Sequence, residues 1–290
     1  MGRYRLLHAL RTSTLRPFWC RTSSQVGGFE FLCHLQDSIS REVCFTGIYE
    51  PQETLIIQKI LRSGDTFVDV GANWGYHAML AAQLVGDTGR VVCLEPDPFI
   101  AGLLQQNLSR NQFSQVSLHA LAASAEPGHI PWNTFDAAGG NWGTGQMLTP
   151  SAARDSGQTK VPTVVLDDLL NDLGIDHVDL LKMDIEGGEV FALRGMERGL
   201  KSGVYRRILL ELHPAIIRSH GAAAESLIQG ILSAGYDCWR IDHSSATTRK
   251  VAYGRLTAAE DLLLPYEATA ALDSWPHLLC VRSGESRLGG

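Results

Sequence analysis

Residues 68–75, Val-Asp-Val-Gly-Ala-Asn-Trp-Gly, constrain the fold of this chain more than any other segment. The β-rich run Thr66–Val70 enters a glycine turn and leaves as the apolar stretch Tyr76–Val85, which Gly86 stops. Strand, glycine turn and helix in that order form the unit of a doubly wound sheet, whose ligands sit at the carboxyl ends of the strands. Glycine at 71 and 75 lets the backbone approach a ligand where a Cβ would collide. The next β-rich run, Val91–Leu94, ends in Glu95-Pro96-Asp97. Glu95 stands 24 residues after Gly71, near the ~20 expected of an acid that accepts hydrogen bonds from ribose hydroxyls. Asp97 suits a helix cap and Pro98 the first helical position.

The alternation continues along the chain. Val116–Ala120, Val178–Met183, Ile208–Leu212, Tyr236–Ile241 and His277–Val281 read as strands, and Glu189–Leu200 and Ala222–Ala234 as helices. Strands alternating with helices predict a mostly parallel sheet covered on both faces. Residues 29–50 alternate enough to predict a short hairpin or small N-terminal sheet, followed by a helix from about Pro51 to Leu61. Residues 125–160 are rich in Gly, Ser, Thr and Pro and predict an irregular, lid-like segment, with Gly139, Gly140, Asn141, Trp142 and Gly143 as a flap that could close over an acceptor.

The ligand at the glycine turn follows from charge. A dinucleotide fingerprint is GxGxxG, but Asn73 occupies its second glycine position. Asp69, just before the turn, would repel a pyrophosphate and tolerate a sulfonium and an ammonium group. The residues therefore favour S-adenosylmethionine over NAD, with Asp69, Gly71, Asn73, Gly75, Glu95, Pro96 and Asp97 as the cofactor-binding set.

Gly64–Gly75 with Glu95-Pro96-Asp97 resembles the FkbM-type methyltransferases, as do Val164–Leu169, Asp179-Leu-Leu-Lys-Met-Asp-Ile-Glu-Gly-Gly-Glu189 and Glu211-Leu-His-Pro214. Gly188 stands where the family more often has alanine. The resemblance spans residues 29–283. It implies a class I, Rossmann-like methyltransferase fold: a seven-stranded, mostly parallel doubly wound sheet in the order 3-2-1-4-5-7-6, its last strand antiparallel. It also implies methyl transfer to a hydroxyl of a small-molecule, glycan or lipid-like acceptor. The expected organisation is an Arg-rich leader over 1–28, a β hairpin and helix over 29–62, the methyltransferase domain over 63–283 and a tail.

Candidate chemistry lies in those last motifs. Strand residues two apart share a face, so Lys182, Asp184 and Glu186 are predicted to line one side of the fourth main strand, and Glu211 and His213 one side of the fifth. His213 or Asp184 could serve as general base toward an acceptor hydroxyl, beside Glu186 and Lys182. A structural ion network is an equally plain reading of the same charges. Metal ligation by Asp184, Glu186, Glu211 and His213 is a further alternative, although no metal is the expectation. His77 could face an acceptor or cover a helix.

With 290 residues, 44% hydrophobic and 19% charged, the chain can bury a substantial core. Its net charge of −6 gives no basic bias toward nucleic acid. No apolar run approaches the ~18 residues of a membrane span. The cysteines carry no CxxC pair and read as reduced thiols of a cytoplasmic protein. The acid-free leader, with Arg3, Arg5, Arg11, Arg16 and Arg21, resembles an organelle transit peptide and leaves an organellar location as the alternative. Rival functions are a dinucleotide-dependent oxidoreductase and a non-catalytic module of the same fold.

Overall fold

The computed structural model describes residues 16–133, 145–147, 159–267, 272 and 275–289. The proposed flap residues Gly139, Gly140, Asn141, Trp142 and Gly143 lie outside them.

The strands in chain order are β1 (Phe18–Arg21), β2 (Glu30–Cys33), β3 (Thr66–Val70), β4 (Arg90–Leu94), β5 (Val116–His119), β6 (Ala122–Ala123), β7 (Gly128–Asn133), β8 (Gln146–Met147), β9 (Thr159–Val164), β10 (Leu180–Met183), β11 (Arg207–Glu211), β12 (Tyr236–Ile241), β13 (Leu263–Pro265) and β14 (His277–Arg282). The main sheet has eight strands in the order β13-β12-β14-β11-β10-β3-β4-β5. Strands β11, β10, β3, β4 and β5 are parallel to their neighbours in that run, and β14 is antiparallel to both β11 and β12. This is an α/β methyltransferase-type sheet flanked by helices, but seven strands were expected. The additional one is β13, three residues that pair antiparallel with β12. It lies among turns and a short 3₁₀ helix, where neither alternation nor length marks a strand.

The chain runs from β3 outward through β4 to β5 and then returns to β10 on the other side of β3. The order therefore reverses between β3 and β10, and the crevice at their carboxyl ends is where such sheets bind ligands. Strands buried on both faces read as continuous apolar runs. Val68 and Val70 pack on one side with Leu181, Met183 and Leu210, and Phe67 on the other with Leu180 and Leu209.

Four expectations need correction. Residues 29–50 do not form a hairpin among themselves. After β2 the chain enters the helix Ser38–Thr46, whose first turn is capped by Asp37 accepting the Ser40 N–H. The partner of β2 is β1, inside the segment expected to be a leader. This hairpin docks on the helix Pro98–Asn111. The Leu32 N–H donates to Asn107 Oδ1 at 2.8 Å and the Glu30 N–H to Asn111 Oδ1 at 2.9 Å. Phe31 is fully buried against Trp74 and Tyr76. Finally, the stretch expected to be irregular, residues 125–160, supplies β7, β8 and the start of β9 to a second, four-stranded sheet in the order β6-β9-β7-β8. Pro131 and Pro162 within it disguise two strands that pair over five residues. The predicted helix over Glu189–Leu200 is two short helices, Glu189–Gly195 and Glu197–Ser202.

Candidate active site

The turn after β3 is built by sequence-local geometry. Gly71 and Gly75 have φ of 84° and 87°, and Asn73 is left-handed at 52°. A Cβ on Gly71 would lie 2.0 Å from the Asp184 carbonyl oxygen. That glycine is therefore required by the neighbouring strand's exit, and not only by a ligand as its position suggested. Gly75 caps the helix Tyr76–Val85, and its missing Cβ makes room for Leu104. It is not among the residues lining the cleft, and the contact the structure gives it is one of helix packing.

Glu95 sits at the end of β4 and accepts the Asn73 N–H at one oxygen and the Asp97 N–H at the other, each at 2.9 Å. Each oxygen keeps a lone pair for a further donor. Burial pushes the Glu95 carboxyl up to about 8 despite those two bonds. Asp97 accepts the N–H groups of Phe99 and Ile100 as the cap of its helix, and its second oxygen lies 3.4 Å from the Trp132 indole nitrogen. Capping of this kind is worth ~1 kcal/mol, which leaves Asp97 as a wall of the site.

Gly71, Asn73, Glu95, Pro96 and Asp97 line one cleft. Ile100, Leu121, Ala122 and Trp132 form its apolar flank, and Glu50, Asp184, Glu186 and Glu211 its polar end. Trp132 comes from the second sheet, in the segment the sequence marked only as irregular. Asp69 lines a smaller hollow beneath, together with His77, Lys182 and Asp184. Both Asp69 oxygens are buried without a hydrogen-bond partner, and burial raises the group to about 7.

Beneath the polar end, in the hollow it shares with Asp69, His77 and Asp184, lies Lys182, the register partner of Asp69 across β10 and β3. Its Nζ lies 3.4 Å from Asp184 Oδ2. Burial alone would lower the Lys182 pKa, but the carboxylates of Asp184, Glu50, Asp69 and Glu211 outweigh it and hold the ammonium charged. Glu211 is pushed strongly upward, first by burial and then by Asp184 and Glu50. Glu50 rises for the same first cause. His77 is held well below its usual range by burial and by Lys182.

Strand β10 ends at Met183, so Asp184 and Glu186 belong to the turn that follows and the shared-face argument stops short of Glu186. Glu186 has φ of 51° and turns away from Lys182 toward His213, whose Nε2 lies 3.3 Å from Glu186 Oε2. The other ring nitrogen, Nδ1, lies 3.2 Å from Glu189 Oε1. Glu189 in turn accepts the Gly187 N–H at 3.2 Å and the Ile185 N–H at 3.4 Å. Burial disfavours charge on His213, yet the bond to Glu189 and the nearby Asp184 and Glu186 raise its pKa. His213 is buried outside the cleft lining, at the N-terminus of the helix Pro214–Ser219. Glu186 lines the cleft and is raised to about 7 by burial.

Glu50 and Tyr49, which also lines the cleft, were missed. Glu50 immediately precedes the helix Pro51–Ile60 with φ of 41°, a conformation that the residue types around it do not announce.

The Methyltransferase FkbM domain family matches residues 69–238. The chain is 26% identical over 164 residues to a 2-O-methyltransferase, NoeI, of Sinorhizobium fredii, covering 51% of this chain and 66% of that protein. It is 26% identical over 152 residues to the hexuronic acid methyltransferase AglP of Haloferax volcanii, covering 52% and 57%. A protein-L-isoaspartate O-methyltransferase of Methanococcoides burtonii is 30% identical over 89 residues, covering 30% and 44%. The chain thus spans less than two thirds of each of these relatives. The match to the family covers more than half of the chain and includes the turn after β3, Glu95, the Lys182–Glu189 turn and His213: this protein belongs to the FkbM methyltransferase domain family.

Proposed function

We propose that the chain transfers a methyl group from S-adenosylmethionine to a hydroxyl oxygen of a sugar-like acceptor. The observation that carries this reading is the continuity of a single cleft, from the Glu95 carboxylate at one end to Asp184, Glu186 and Glu211 at the other. The cofactor supplies an electrophilic methyl on a sulfonium. The residues present suit it: Glu95 has lone pairs free for two ribose hydroxyls, Trp132, Ile100 and Pro96 offer an apolar slot for a purine, and the orphaned Asp69 oxygens suit an ammonium.

Asp184 takes the acceptor's proton, because it lines the cleft and Lys182 holds it in place. Glu211, whose carboxyl burial and Asp184 push upward, lines the cleft beside Asp184 and faces a neighbouring acceptor oxygen. His213 acts as a positioning residue. Both its nitrogens face carboxylates, so it holds the turn 185–188 and has no free nitrogen to act as base. The relatives named for 2-O-methylation and for hexuronic acid support a polyhydroxy acceptor. We read β5 to β12 as the seven-stranded methyltransferase sheet, β13 as an addition to its edge, and residues 63–283 as the methyltransferase domain.

The test is formation of S-adenosylhomocysteine, followed by mass spectrometry, with uronic-acid oligosaccharides, neutral sugars and an isoaspartyl peptide as acceptors. Turnover with a sugar that Asp184→Asn abolishes is expected. Turnover with the isoaspartyl peptide alone would overturn the hydroxyl reading, and tight cofactor binding without any turnover would favour a non-catalytic module.

A further inference from the structure

We propose that Glu53, His243 and His277 bind one divalent transition-metal ion of the zinc class, outside the methyl-transfer cleft. The three residues come from distant parts of the chain: the first turn of the helix Pro51–Ile60, the exit of β12 and the start of β14. Glu53 Oε1 lies 2.6 Å from His243 Nε2 and 2.9 Å from His277 Nδ1. All three ligand atoms fall within 4.8 Å of one another. Ligands on a tetrahedral zinc at ~2.0–2.1 Å stand about 3.4 Å apart, so the carboxylate oxygen has to withdraw by well under 1 Å to admit an ion.

Two further observations point to a cation. Glu53 is 1% exposed, and its other oxygen, Oε2, is buried without a hydrogen-bond partner. An unpaired oxygen on a buried carboxylate is costly, and a metal ion offers it a partner. The rings of His243 and His277 stack at 3.8 Å and 19°. The stack turns His243 Nε2 and His277 Nδ1 toward the same carboxylate oxygen, Glu53 Oε1.

The surroundings supply what a metal-bound imidazole uses. His277 Nε2, the nitrogen turned away from Glu53, faces Glu211 Oε1 at 3.6 Å, which places a carboxylate behind the ring whose Nδ1 would ligate. The His243 side chain is 30% exposed and gives the ion a route in and a position for water. Two imidazoles and a carboxylate favour zinc over magnesium or calcium. The ion would clamp the helix that follows Glu50 onto the sheet edge, and so would act on the cleft by fixing its wall.

The test does not depend on the acceptor. The full chain is stripped with a chelator and titrated with zinc chloride by calorimetry, and bound metal is counted by mass spectrometry. One ion per chain is expected. His243→Ala, at the most exposed ligand, should weaken binding at least about tenfold. Asp184→Asn should leave the affinity unchanged, because among the described residues Asp184 belongs to the two other clusters that bring ligand atoms within the same reach and not to this one. Should His243→Ala fail to fold, Glu53→Gln is measured instead with the same expectation. Absence of zinc binding to the wild-type chain, or binding that follows Asp184 and ignores His243, would overturn the proposal.

Discussion

Glu211 and His277 are register partners on the antiparallel strands β11 and β14, with His277 Nε2 3.6 Å from Glu211 Oε1. One residue lines the cleft and the other reaches Glu53 beneath the helix Pro51–Ile60. Loss of the imidazole should therefore be felt in the cleft. His277→Ala is expected to change the pH profile of methyl transfer while leaving cofactor affinity within about threefold, because Glu95 is remote from it in the sheet. A profile superimposable on wild type would show that the two carboxylates do not communicate.

Glu95→Gln keeps the shape of the side chain but turns one acceptor oxygen into an amide donor. It should raise the dissociation constant for S-adenosylmethionine at least tenfold, charge-assisted bonds being worth ~1.5–3 kcal/mol each. It also disturbs one of the two backbone bonds that close the turn, to Asn73 or Asp97. A stability loss of about 1–2 kcal/mol should accompany it in denaturant unfolding. Unchanged affinity would remove Glu95 from the cofactor set.

The carboxyls of Glu95, Asp69 and Glu186 are raised to about 8, 7 and 7 by burial. Between ~4.5 and those values the unfolded chain has released protons that the folded chain still holds, so stability falls as pH rises through that window. Below it the contribution is fully present. The melting temperature of the free protein should thus decline from pH 5 to pH 8, with a shallower slope in Glu95→Gln. Ribose hydroxyls donate best to an ionised carboxylate, so the melting shift produced by the cofactor should grow over the same interval. A cofactor shift that shrinks toward pH 8 would contradict the ribose assignment.

Gly71→Val places side-chain atoms against the Asp184 carbonyl and forces a β-branched residue to a φ of 84°. The expected outcome is a loss of several kcal/mol of folding stability, roughly 1–2 of it from the backbone alone, visible as a lowered melting temperature before any cofactor is added. A native melting curve with only binding lost would return Gly71 to a purely ligand-facing role.

Asp184→Asn and His213→Ala should separate chemistry from support. The first is expected to lower turnover by ~10²–10⁴ with cofactor affinity retained. The second strands Glu189, which is fully buried, and should cost ~3–5 kcal/mol of stability. Equal loss of folding in both would make Asp184 part of a structural network.

Much of the sheet was legible because buried parallel strands announce themselves as short apolar runs between helices: β3, β4, β10, β11, β12 and β14 all fall close to where the sequence placed them. The place of Glu95 at the end of β4, on the same cleft as Gly71, was legible through its distance from that glycine. What escaped notice lies in pairings that no local pattern encodes. Glu53 meets His243 across 190 residues, and neither neighbours a motif. Glu50 enters the cleft through one left-handed residue ahead of a proline. His213 carries a legible motif, but its role depends on Glu189, whose carboxylate turns back to the preceding backbone instead of along the helix.

The eighth strand has a consequence for assembly. An open sheet edge is a template on which another chain can add a strand. Here the edge beyond β12 is covered by β13, which is three residues long and ends in Pro265, a residue with no N–H to offer. Too few donors remain along it for a second molecule to extend the ladder. Copies of this chain that associate at that end would have to meet through side chains, and a continuous intermolecular sheet is blocked there by a single short, proline-ended strip of backbone.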